Sequence, residues 1–243
     1  MRRTVSRLSV CATVTLLAGL AGAVIASPGQ TEVEPLRADW AQLGQYRDDN
    51  RRLPPPGAAR PRVIFFGDSL TQSWDLAGLG LDRVEVLNRG ISGQTTPQML
   101  VRFRQDVIDL KPVVVHILAG TNDLAGNTGP TTLEAIEDNL SSMVEVARAN
   151  HIRVVLCSVL PALDYPWRPG LEPAPRIVAL NEWIRTYARQ HKLVYADYYS
   201  ALVESGGGFR SELADDGVHP NSDGYAVMDP IARQAVRQAL AAH

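Results

Sequence analysis

Five short apolar runs recur along this chain, "RVIFFG" (62–67), "VEVLN" (84–88), "VVVHILAG" (113–120), "IRVVLCSV" (152–159) and "LVYADY" (193–198). A strand with one wet face alternates apolar and polar residues, so unalternating runs of this length predict strands buried on both faces, as in parallel sheets. The stretches between them have helical spacing. In "TTPQMLVRFRQDVIDLK", Leu100, Phe103, Val107 and Leu110 share a face, and Thr96 before Pro97 is the start signal. In "TTLEAIEDNLSSMVEVARAN", Thr131 stands three residues before Glu134 in capping-box spacing, and Leu133, Ile136, Leu140 and Val144 repeat at helical intervals. "RIVALNEWIRTYARQH" and "SDGYAVMDPIARQAVRQAL" complete the set, with Pro230 marking a kink or a start in the last. Strand alternating with helix predicts a three-layer α/β/α sandwich around a mostly parallel five-stranded sheet with right-handed crossovers.

The ends of the chain read differently. "MRRTVSRL" is a positive start, "LSVCATVTLLAGLAGAVIA" an apolar run, and Val24-Ile25-Ala26 a small-residue cleavage site before Ser27, so residues 1–26 read as a signal peptide removed on export. An uncleaved anchor is the alternative, because the run is about long enough to span a bilayer. Once the signal is gone, no membrane association is expected. Cys11 leaves with it and Cys157 remains alone, so the exported chain has no internal disulfide. Cys157, in a strand of Val and Leu, reads as a small buried apolar residue. Residues 27–60 are a lead-in with one helix in "EPLRADWAQLGQYRDDNRRL" and a spacer, "PPPG", barred from regular structure by its prolines. The remainder, 61–243, has the length of one ordinary domain; the whole chain is 45% hydrophobic, and its net charge of −2 provides no basic field for nucleic acid.

Open α/β sheets place their sites in the crevice beyond the carboxyl ends of the strands. The segments due there are "GDSLTQSW", "NRGISGQTT", "GTNDLAGNTGP", "PALDYPWRPGLEPAP" and "DDGVHPN". Ser69 falls where a strand gives way to a helix, exposing a hydroxyl beside free backbone N–H groups; the alternative is that Asp68 or Ser69 only caps that helix. Gly90 and Gly93 allow a tight turn and close approach of an amide to a ligand, or form a mere connection. Asn122 offers a side-chain donor to the crevice, or an Asx-turn. His219 is a base titrating near neutrality, and Asp216, three residues earlier across a glycine, can fold back to its Nδ1–H. Asp215 should point the other way, into solvent or a cap.

"GDSLT", "GISGQT", "GTND" and "DGVHP", in that order and at those strand ends, resemble the four blocks of the SGNH (GDSL) hydrolase family, over nearly everything from Arg62 to Leu240. The resemblance implies a flavodoxin-like fold and a serine esterase without metal or cofactor. It implies Ser69 as nucleophile, Asp216 and His219 as its partners, and Ser69, Gly93 and Asn122 as the oxyanion hole. A small-molecule ester is then the substrate, with a short acyl group such as acetyl preferred, on a carboxylesterase or a carbohydrate O-deacetylase. A lipase or lysophospholipase, a thioesterase and an arylesterase share the fold. An exported binding protein that keeps the fold without turnover is the reading from another class.

Other features have plainer readings. Trp167 and Arg168, in the proline-rich rim loop, are candidate substrate contacts, or parts of a rigid surface loop. Trp74 is a further candidate contact, with core packing as its alternative. His116 reads as a packed core histidine. "SGGGF" (205–209) reads as a flexible turn, and "NLS" (139–141) as a sequon lying on a helix. No apolar helix face stands out as an interface between copies of the chain.

Overall fold

The structure is a computed structural model in which residues 38–242 are described. The signal expected over 1–26 and the first part of the lead-in lie outside those residues. The elements are α1 (Arg47–Arg52), β1 (Arg62–Gly67), α2 (Ser69–Gln72), β2 (Glu85–Gly90), α3 (Thr96–Asp106), β3 (Val114–Leu118), α4 (Thr121–Leu124), α5 (Leu133–Ala149), β4 (Arg153–Cys157), α6 (Ala174–Gln190), β5 (Val194–Ala196), α7 (Tyr199–Leu202) and α8 (Ser222–Ala241). The sheet order is β2-β1-β3-β4-β5 and every pairing is parallel. This is the flavodoxin-like order, in which the chain reverses its direction of travel between β1 and β3.

The three central strands, β1, β3 and β4, bury both faces, which accounts for their unalternating runs, whereas the edge strands β2 and β5 are largely half-buried. Ile64 and Phe66 of β1, Val115 and Ile117 of β3, and Val154 and Leu156 of β4 face one core, shared with Met99 and Phe103 of α3, Ile136 and Leu140 of α5, and Ile177 and Leu180 of α6. Val63 and Phe65, Val114 and Leu118, and Val155 and Cys157 face the other, against Met228, Ala232 and Val236 of α8. Full burial of such a side chain contributes about 1.5–3 kcal/mol, so two cores hold the sheet between its helix layers.

Local signals moved by small amounts. The N-cap of α3 is Thr95 rather than Thr96, its hydroxyl and backbone N–H sharing a capping box with Gln98. That of α5 is Thr132 rather than Thr131, its hydroxyl accepting from Ala135 N. In each case the residue just before the first helical turn does the capping, and one position separates adjacent threonines. α8 begins at Ser222 and runs through Pro230.

The lead-in departs from its expected single helix. Asp39 Oδ1 and Oδ2 take the N–H groups of Leu43 and Gly44, and Gln42 has φ +54, so residues 39–46 wind through turns before α1 begins. The segment is fastened to the sandwich side chain by side chain. Gln94, Gln98 and Gln105 donate to the carbonyls of Ala41, Trp40 and Leu43 at 2.7–2.8 Å, and Tyr46 OH donates to Gly90 O. No helix among the described residues is long and apolar enough to cross a membrane.

Candidate active site

Ser69 opens α2 immediately after β1, with Asp68 as the N-cap whose Oδ1 accepts from Leu70 N at 3.0 Å. Asp68 therefore does the capping, and Ser69 Oγ takes no part in it. α2 is a single turn, so it carries only a small helix dipole. Two glycines let it sit down on the sheet: a Cβ on Gly67 would meet Thr71 Oγ1 at 2.1 Å, and one on Gly90 would meet Gln72 N at 2.2 Å. The need at Gly90 is close packing, whereas Gly93, at φ +75, makes the turn.

Ser69 Oγ lies 2.9 Å from His219 Nε2, and His219 Nδ1 lies 2.7 Å from Asp216 Oδ2. Asp216 Oδ1 accepts from the backbone N–H groups of Val218 and His219 at 2.9 and 2.7 Å, and Gly217 supplies the left-handed turn at φ +75. Partial burial pushes the Asp216 carboxyl up, but the hydrogen bonds from His219 and Val218 outweigh it and hold the group below the usual carboxylate range. A carboxylate kept ionised against Nδ1–H leaves Nε2 as the acceptor facing the serine. Asp215 turns away, accepting from Asn221 Nδ2 at 3.2 Å, where Asn221 caps α8.

Asn122 is buried in α4. Its Nδ2 lies 3.2 Å from Asp68 Oδ2 and 3.1 Å from Gln94 O, and its Oδ1 accepts from Asn127 Nδ2 at 2.8 Å. The loops after β1, β2 and β3 thus meet at one amide. Asp123 next to it accepts from Thr96 N and, at 2.6 Å, from Thr96 Oγ1, which ties the start of α3 to the loop after β3. Burial pushes Asp68 up to about 7 and Asp123 up to about 6. Beneath them Arg102, 0% exposed, donates to Gly67 O, Gln94 Oε1 and Asp106 Oδ2 and lies over the Phe66 ring. The buried face of α3 carries Met99, Arg102, Phe103 and Asp106 and leaves Leu100 half-buried, so it is turned from the face expected, and a partner on each guanidinium nitrogen explains how Arg102 is accommodated there.

The candidate substrate contacts divide. Trp167 is exposed beside the site, 5.9 Å from the His219 ring by centroids, with its Nε1 on Asn127 Oδ1. Arg168 Nη1 donates to the carbonyls of Ala125 and Gly126, fastening the rim loop to the loop after α4. Trp74 must be corrected: it is 3% exposed, packs on Phe65, Tyr198 and Tyr225, and gives its Nε1 to Asp229, so it is a core residue. One turn of helix after Ser69 carries it under the sheet rather than over the crevice. The rim loop owes its shape to Asp164, whose carboxylate collects the N–H groups of Tyr165, Gly170 and Leu171, as well as to its prolines. A cavity of about 640 Å³ opens at the other end of the sheet, between Val113, Arg153 and Val194, away from all of these groups.

His116 and Cys157 play no part at the crevice. His116 Nε2 contacts Tyr198 OH at 2.7 Å and Cys157 Sγ at 3.1 Å within the core, and burial pushes the histidine down to about 3 and the thiol up.

A flavodoxin-like sheet with serine, histidine and aspartate in hydrogen-bonded series at its switch point is the architecture of an SGNH-type ester hydrolase. The profile of the GDSL-like Lipase/Acylhydrolase family matches residues 65–227, and the chain belongs to that family. A GDSL-like lipase from Bacteroides thetaiotaomicron is similar at a TM-score of 0.78 and 39% identity, over 82% of this chain and 99% of that one. The isoamyl acetate-hydrolyzing esterase 1 homolog of Bos taurus is 32% identical over 191 residues, 68% of this chain and 76% of its own. The lipoprotein YqeF of Bacillus subtilis is 28% identical over 166 residues, 61% of this chain, which spans 60% of that relative's length.

Proposed function

We propose that this protein cleaves carboxylic esters through an acyl-enzyme on Ser69. The observation that carries the reading is the unbroken series from Ser69 Oγ through the His219 ring to Asp216 Oδ2, at 2.9 and 2.7 Å. His219 Nε2 takes the Ser69 proton as Oγ attacks the ester carbonyl. The oxyanion is received by the N–H groups of Ser69 and Gly93 and by Asn122 Nδ2. On collapse His219 returns the proton to the departing alcohol, and a water activated at the same nitrogen then clears the acyl group. Asn122 reaches the oxyanion by giving up its longer hydrogen bond, to Asp68. The Trp167 indole walls the site on the His219 side.

The acyl group proposed is short, with acetyl first, on a small-molecule alcohol. The similarity to the bovine isoamyl acetate-hydrolyzing esterase homolog supports that choice. Export is proposed from the N-terminal pattern, supported by likeness to a lipoprotein; N-terminal sequencing of the mature chain, expected to begin at Ser27, checks it.

A series of p-nitrophenyl esters from two to sixteen acyl carbons, assayed beside acetylated sugars with Ser69→Ala as control, tests the reaction and the acyl preference together. The expected result is turnover that is highest at acetate and abolished in Ser69→Ala. Equal rates for the two proteins would remove Ser69 from the chemistry, and a maximum at long chains would remove the acetyl preference.

A further inference from the structure

Asn127 lies in the loop after α4 and takes no part in the steps above, yet it touches three of their components. Its Nδ2 donates to Asn122 Oδ1 at 2.8 Å and to Gly93 O at 3.1 Å, and its Oδ1 accepts from Trp167 Nε1 at 3.1 Å. Its backbone N–H donates to Asn122 O at 3.0 Å. A carboxamide has two N–H donors and one oxygen acceptor, so each group is matched. Turning the amide over would set its oxygen against two acceptors and its nitrogen against a donor. The orientation is therefore unique, and it passes to Asn122: with Oδ1 held by Asn127, Nδ2 faces Asp68 and Gln94, beside Ser69. Trp167, at the other end of the Asn127 side chain, stands against His219.

We propose that Asn127 is a positioning residue that locks the two oxyanion-donor residues, Gly93 and Asn122, to each other and to the Trp167 wall. This rests on the reading of Gly93 and Asn122 given above. Donors held in place before the reaction need no reorganisation as charge develops, which is where an oxyanion hole gains its effect. An interaction of that kind acts on the transition state, so its loss lowers kcat and leaves KM nearly unchanged. Asn127 is exposed, so replacing it opens no cavity in the core.

The experiment measures kcat and KM on p-nitrophenyl acetate for the full chain, Asn127→Ala, Asn127→Asp, Asn122→Ala and the double variant Asn122→Ala/Asn127→Ala, with thermal midpoints to confirm folding. Asn127→Ala should lose about tenfold in kcat, the effect of two hydrogen bonds, with KM within about twofold. Asn127→Asp keeps the shape but sets a carboxylate against two acceptors, and should lose more than Asn127→Ala. Asn122→Ala should lose on the order of a hundredfold, and the double variant should fall short of the product of the two single losses. Wild-type kcat in both Asn127 variants while Asn122→Ala is impaired, or a full product in the double variant, overturns the proposal alone. Full activity in Asn122→Ala overturns the oxyanion reading and this inference with it.

Discussion

The two adjacent aspartates before His219 have different work. Asp216 presents one oxygen to the imidazole and the other to two backbone N–H groups, whereas Asp215 holds the cap of α8. Asp216→Ala should lower kcat on the order of a thousandfold or more, because the histidine loses the tautomer in which Nε2 accepts. Asp215→Ala should stay within about threefold; equal losses in the two, measured on one ester, would refute this division of roles. The spacing of three residues across a glycine made Asp216 legible beforehand. Asn127, five residues after Asn122, was within local reach of it but belongs to no motif. Nothing local announced that Asp68 and Gln94 would meet Asn122, because they come from two other strand ends. Trp74 was misplaced for the same reason: nearness to Ser69 in sequence says nothing about which side of the sheet a side chain takes.

Among the elements, α2 is the one whose seat decides where the nucleophile stands. Gly90 approaches it so closely that a Cβ would fall 2.2 Å from Gln72 N and 2.7 Å from Thr71 C, both backbone atoms that cannot rotate away. Gly90→Ala should therefore destabilise the protein by about 1–3 kcal/mol, as overpacking does, and lower kcat further by moving Ser69. A urea midpoint and an esterase rate equal to wild type would show that α2 yields without cost. The strands were readable within two residues because each lies within a short apolar run, continuous where the central strands bury both faces. The starts of α3 and α5 were readable to one residue, since adjacent threonines compete for the cap, and that of α6 to two. The lead-in was not, because Asp39 and Gln42 turn the chain through contacts no periodicity encodes.

At the scale of the whole molecule, buried titratable groups set the pH response of folding. Burial lifts Asp68 from 3.8 to about 7, so the folded protein holds that proton longer than the unfolded chain. Its stabilising contribution is complete below about pH 3.8 and is lost as pH rises through about 7. Asp123, lifted to about 6, acts in the same sense. His116, lowered from 6.5 to about 3, acts oppositely, and its contribution is lost as pH falls from 6.5 towards 3. Asp68→Asn removes the first of these, so the difference in Tm between variant and wild type should move in the variant's favour from pH 4 to pH 8. A difference constant across that range would mean that Asp68 does not titrate there.

The sequence by itself determined the layer architecture and the strand positions, because these rest on periodicity; it singled out Ser69, Asp216 and His219 together only through the resemblance of its blocks to the SGNH family, since Ser69 stands 150 residues from His219. Only the tertiary structure decided what surrounds them. Strand order brings the loops after β1, β2 and β3 to one amide, buries Arg102 beneath them and turns Trp74 into the core. Such contacts join residues far apart in the chain, and their partners are chosen by packing rather than by any local pattern.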